Sequence, residues 1–242
     1  MLKLRNAIVL VAAVAAAALT ARLGVWQLDR AAQKTRLQDS QLSQRALLPL
    51  PAEALARDAA TAQAQLHRRI ALQGRWLPAH TVYLENRQMN GRPGFYAVTP
   101  LQLPDGSAVL VQRGWVPRDL MDRTRVVAPP PPQGEVQVLG HIALGPARLF
   151  DFAGAASGAI RQNLDLDAFA RETGLPLRPL SVVQDDGTGG AHDGLLRQWP
   201  LPAADVAKHH GYAFQWFALC ALIIGLYVWF QLIRPARGLA SP

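Results

Sequence analysis

The chain of 242 residues has one cysteine, Cys220, which excludes an intramolecular disulfide and any zinc or iron–sulfur site built on thiolates. It has no Gly-x-Ser-x-Gly elbow, no phosphate-cradling loop ending in Gly-Lys-Ser/Thr, and no His-Glu-x-x-His helix. With no nucleophile–base pair or metal constellation in view, the expectation is a protein that is not an enzyme. There is no internal repeat. Lysine is almost missing, confined to Lys3, Lys34 and Lys208, so the formal charge of +8 comes from arginines scattered along the chain rather than from a block. That pattern argues against a nucleic-acid partner. Basic residues near the chain ends suit anionic membrane lipid.

What the chain does have is two apolar blocks, one at each end. From Gly211 to Ile233 no residue is charged, and about 20 such residues suffice for a helix to cross a bilayer core. At the N-terminus, Lys3 and Arg5 precede an uncharged run from Ala7 to Ala21. Two readings of that run are open. A cleaved signal peptide has this basic start, with Ala16-Ala17-Ala18 as its small-residue exit. An uncleaved helix from Asn6 to Leu28 also fits, with Arg22 snorkelling outward and Trp26 at the interface. Lys3 and Arg5 before one span and Arg234 and Arg237 after the other place both termini in the cytoplasm. The expected organisation is a first span over 6–28, an exported domain over 29–208, and a second span over 209–233. In a bacterium the exported side is the periplasm; in a mitochondrion it is the intermembrane space.

Within 29–66 the pattern suggests a helical stem, ended by Pro49 and Pro51, and a short helix over Ala52–Gln65. Strand signals begin at Arg69 and continue at Val82–Leu84. The Asn90-Gly91 turn precedes a hairpin from Phe95 to Val116, turning at Pro104–Ser107. Gly74 reads as a bulge or a close approach. Pro129–Pro132 is an extended spacer. Val136–Ile142 and Leu180–Val183 are further strands, and Asp165–Gly174 is a short helix with acids at its start and glycine at its end. Small and flexible stretches are expected at Gly154–Gly158 and Asp185–Gly194. The fold class is therefore α+β: two membrane helices flanking a mainly antiparallel β domain.

Of the six histidines, His67, His80, His141 and His192 stand alone, as surface or strand positions. His209 and His210 differ because they sit at the mouth of the second span. An imidazole there has two readings, an axial ligand to haem iron or simply the polar end of the helix. Neighbouring helical residues point about 100° apart, so only one of the pair faces a given groove. Tyr212 and Trp216 share the helix face of His209, as an aromatic belt or as cofactor contacts. Cys220 reads as a small buried apolar residue.

Taken in order, several motifs resemble the surfeit locus protein 1 family of membrane assembly factors for haem–copper oxidases. Leu23-Gly24-Val25-Trp26-Gln27-Leu28-Asp29-Arg30 with Lys34 is similar to its signature after the first span. Asn86-Arg87, Gly91–Phe95 and Thr99-Pro100-Leu101 resemble its central hairpin, and Val111–Pro117 its Val-Asn-Arg-Gly-Trp-Val-Pro block. His209, Tyr212, Ala213 and Trp216 match its His-x-x-Tyr-Ala-x-x-Trp, while His210 takes a place the family usually gives to leucine. The resemblance implies that the first helix is kept as an anchor, and the expected location is the bacterial inner membrane. It further implies haem a as cargo, and oxidase subunit I and haem a synthase as partners. His209 then becomes the haem contact, with His210, Trp26, Tyr212 and Trp216 nearby. Arg30, Arg87 or Arg113 are candidates to pair with propionates, although Arg113 also fits a structural donor on its strand. The alternative within the same family is a scaffold that holds an oxidase intermediate without haem.

Overall fold

An alanine-rich segment without proline favours an uninterrupted helix, and the first element, α1, runs from Leu2 to Ala46 without a break. The computed structural model describes residues 2–122, 125–150, 158–186, 193–199 and 206–234. Its contacts divide the chain into two units, Met1–Ser40 with Leu201–Pro242, and Gln41–Pro200. His192, Arg237, most of the Asp185–Gly194 stretch and residues 154–157 lie outside the described residues.

In the first unit α1 pairs with the C-terminal helix, Val206–Val228, which continues as a π turn over Trp229–Ile233. Both helices are long and apolar enough to cross a membrane. Small residues let them approach closely. A Cβ on Gly24 would stand 2.8 Å from the Phe217 ring, Ala213 is buried, and the Cys220 thiol donates to the Ala17 carbonyl at 3.4 Å. Thr20, also buried, returns its hydroxyl to the Ala16 carbonyl at 2.9 Å, so its polar atom is satisfied within its own helix.

The second unit is a β barrel with an extension. Its strands are β1 (Arg69–Trp76), β2 (Val82–Met89), β3 (Arg92–Gln102), β4 (Ala108–Pro117), β5 (Glu135–Ala143), β6 (Ile160–Arg161) and β7 (Leu177–Gln184). They are ordered β1-β5-β7-β4-β3-β2-β6, and a further pairing of β1 with β3 closes the first part of that order into a ring. Closure occurs at Arg75↔Gln102 and Trp76↔Leu101. Gly74 is needed there, because a Cβ would lie 2.2 Å from the Gln102 carbonyl oxygen. Most pairs are antiparallel; β4–β7 and β2–β6 are parallel.

Strand β4 shows why the barrel holds. Val109 and Val111 point into one core with Leu72, Leu101, Ile142 and Val182. Leu110 points the other way, into a second core with Leu84, Val98 and Phe169 of helix α3 (Leu166–Thr173). Each such buried side chain contributes about 1.5–3 kcal/mol of transfer free energy. Asp165 caps α3 by accepting from the Ala168 amide at 3.0 Å, and Gly174 ends it in the left-handed conformation.

Several elements differ from their sequence pattern. The expected helix over Ala52–Gln65 is a 3-10 turn, Ala52–Ala54, followed by α2, Ala59–Ala64, capped by Asp58. Strand β2 continues past Leu84 to Met89, because a register shift with Asn86 at positive φ turns Arg87 inward. There Arg87 donates to the Gln162 carbonyl at 2.8 Å and lies over the Tyr96 ring. Strand β6 had no sequence signal at two residues long.

Candidate functional site

Of the residues expected to carry function, His209 is the one the first unit organises. It sits near the start of the C-terminal helix, half-buried, with Nδ1 2.7 Å from Gln27 Oε1 of α1. An amide oxygen only accepts, so Nδ1 carries the proton and donates. Nε2 then holds the lone pair, and among the described residues it has no protein partner. His210, one position on, is exposed.

Around this pair the aromatic residues separate into two kinds. Trp216 is half-buried on the inward face of its helix, whereas Tyr212 is 51% exposed. On α1, Trp26 is largely exposed with the Arg30 guanidinium 5.8 Å over its ring. Arg30 also donates to Gln33 at 3.2 Å. Farther along the two helices an apolar groove of about 440 Å³ opens among Leu10, Ala17, Cys220 and Tyr227.

The other arginines lie in the barrel unit and are spoken for. Arg113 is 2% exposed, stacked 5.4 Å over Trp76, with Asp193 3.6 Å away. Burial pushes its guanidinium below the usual arginine range, and Asp193 pulls the other way. Arg87 is buried on Tyr96, again lowered first by burial, while Tyr96 is raised by its own burial. Arg161 with Glu172, Arg178 with Asp105, and Arg197 with Asp193 complete a set of buried arginines. These five arginines are therefore internal struts rather than part of a basic surface.

Two features escaped sequence reasoning. Gln27 stands inside the Leu-Gly-x-Trp-Gln-Leu motif, but nothing local shows that it meets a residue 182 positions away. His141, on β5, is buried between Arg45, whose Nη2 is 2.9 Å from Nε2, and Asp185, 3.0 Å from Nδ1. Arginine only donates, so Nε2 accepts and Nδ1 donates to the carboxylate. That arrangement saturates the ring and leaves no lone pair for a ligand. Among the described residues no three of His, Cys, Asp and Glu group to hold a bare metal ion. A metal already carried in a macrocycle needs only one imidazole, and His209, with Nδ1 engaged and Nε2 open, has the donor chemistry for it.

Similarity to known proteins agrees with this anatomy. The SURF1 family matches residues 14–221, a stretch that takes in both Gln27 and His209. A SURF1-like protein of Rickettsia bellii (strain RML369-C) is 25% identical over 228 residues, covering 90% of this chain and 89% of that protein. A SURF1-like protein of Dictyostelium discoideum is 42% identical over 48 residues, 20% of this chain and 18% of that protein. With most of its length matched, the chain belongs to the SURF1 family, which is linked to cytochrome oxidase assembly.

Proposed function

We propose that this protein receives haem a in the membrane and presents it to subunit I of a haem–copper oxidase. The single observation that supports this reading most is the His209–Gln27 hydrogen bond at 2.7 Å, which leaves one imidazole nitrogen open at the end of an apolar helix pair. In this reading the chain crosses the bacterial inner membrane twice, with both termini cytoplasmic and the barrel periplasmic. His209 holds the iron of the cargo through Nε2. Trp216 and Tyr212 offer ring surface near it, and Arg30, on the face of Trp26, offers a guanidinium to a propionate. Arg113 and Arg87 are left out of the contact set because their guanidiniums are buried on Trp76 and Tyr96. Haem a synthase is the proposed donor and subunit I the acceptor, so the protein's part is binding and hand-over rather than turnover.

The test is co-expression with haem a synthase, purification of the full chain in mild detergent, and a reduced-minus-oxidised spectrum. Wild-type protein is expected to carry haem a, and His209→Ala to lose most of it. A His209→Ala protein with a full haem complement and an unchanged spectrum would remove His209 as the ligand. A colourless wild-type protein that still captures subunit I would leave the scaffold role in its place.

A further inference from the structure

We infer that Gln27 is a positioning residue for His209: by accepting the Nδ1 proton it selects the tautomer that presents Nε2 to an incoming metal. The inference rests on the haem reading for its consequence, although the tautomer itself does not.

The argument begins with where Gln27 lies. It shares the inward face of α1 with Ala17, Thr20 and Gly24, at steps of three or four residues. That face is the one bearing on Phe217 and Cys220 of the partner helix. The missing side chain at Gly24, one turn away, lets the backbones approach, and the glutamine amide reaches the imidazole. An amide left unpaired between packed helices is disfavoured, so the contact is favoured over leaving either group bare. A simple interhelical clasp needs only some hydrogen bond. This one engages a defined nitrogen and leaves the other, which among the described residues has no protein partner.

The chemical consequence follows from the imidazole itself. A neutral histidine in solution shares its proton between both nitrogens, and a ligand must find the tautomer whose lone pair faces the metal. Fixing the proton on Nδ1 removes that penalty and holds the ring in one orientation. Metal-bound histidines commonly have such an outer partner, and its removal typically weakens binding about ten- to a hundredfold.

The experiment compares wild type, Gln27→Leu, Gln27→Glu and His209→Ala as full-length chains in detergent. Histidine labelled with ¹⁵N reports the tautomer before any haem is added, with His209→Ala identifying the signal. Haem a is then titrated into each protein and followed by its absorption spectrum. Wild type and Gln27→Glu, which keeps an acceptor, are expected to show the Nδ1–H form. Gln27→Leu should lose that form and bind haem a about ten- to a hundredfold more weakly. If Gln27→Leu keeps the wild-type tautomer and affinity, the positioning role is overturned, whatever His209 does. If Gln27→Leu shifts the tautomer but His209→Ala binds haem a normally, Gln27 still orients the ring and the haem reading is what fails. Loss of affinity in Gln27→Glu as well as Gln27→Leu, with the tautomer retained, would also overturn it, since packing rather than the acceptor would then matter.

Discussion

Removing the carboxylate of Asp193 should destabilise the barrel strongly, because it is the shared counter-ion of two buried arginines. Its Oδ2 lies 2.6 Å from Arg197 Nη2 and 3.6 Å from Arg113 Nη2, and both arginine side chains are 2% exposed. Arg197 also donates from Nε to the Arg113 carbonyl at 2.7 Å, so the two cations are held side by side. Among the described residues Arg113 Nη2 has no hydrogen-bond partner, which leaves it dependent on that carboxylate and on the face of Trp76. In Asp193→Ala two desolvated guanidiniums lose their shared counter-ion. Asp186, 3.9 Å from Arg197 and 64% exposed, offsets little of this. Leaving a buried charge uncompensated costs about 3–5 kcal/mol. At roughly 2–4 °C per kcal/mol for a unit of this size, the melting temperature should fall on the order of 10 °C. The assay is thermal unfolding of the full chain in detergent, read by tryptophan emission, which Trp76 should report directly. Asp193→Asn keeps the shape and removes the charge, so it should lose most of the same stability. The loss should persist in high salt, because a buried pair is weakly screened. A melting temperature within a degree or two of wild type would refute the claim that this carboxylate holds Arg113 and Arg197 inside.

Acid should weaken the barrel in two steps. His67 is held below its ordinary value of 6.5, first by burial and then by Arg45 and His141, so the unfolded chain takes up a proton that the folded one refuses and stability falls as pH drops below about 6.5. Asp105, lowered from 3.8 chiefly by Ser107, and Glu172, lowered from 4.5 chiefly by Arg161, contribute stability that is present above those values and lost as pH falls further. A melting temperature unchanged between pH 7 and pH 5 would contradict the first step. Asp165→Ala removes the cap of α3 and should cost about 1 kcal/mol, or 2–4 °C in the same melt, with no change in haem content. Gly24→Val should wedge the two apolar helices apart at Phe217 and expose the single thiol, speeding alkylation of Cys220 by a membrane-permeant maleimide; equal rates would show that the helices do not rely on that contact.

Much of this fold was legible because its signals are local. Alternation and turn chemistry marked β1, the β3–β4 hairpin and β5, and Asp165 with Gly174 bracketed α3. Two uncharged runs marked the apolar helices. Where the pattern misled, the cause was also local. Glu85-Asn86-Arg87-Gln88 looks too polar for a strand until a bulge turns Arg87 onto Tyr96. The stretch over Ala52–Gln65 has helical composition but divides at Asp58, whose side chain prefers to cap α2.

The sequence by itself determined two helices apolar enough to cross a membrane, a β-rich middle, the family, and His209 as the histidine to watch, since each depends on residue type and spacing along the chain. Only the tertiary structure decided that β1 meets β3 to close a barrel around Gly74, and that buried arginines find carboxylates far along the chain. It also decided that His141 is saturated between Arg45 and Asp185 while His209 keeps one nitrogen open beside Gln27. The reason is physical. Periodicity and propensity act over a few residues, whereas a hydrogen bond between positions 182 apart depends on how two helices pack.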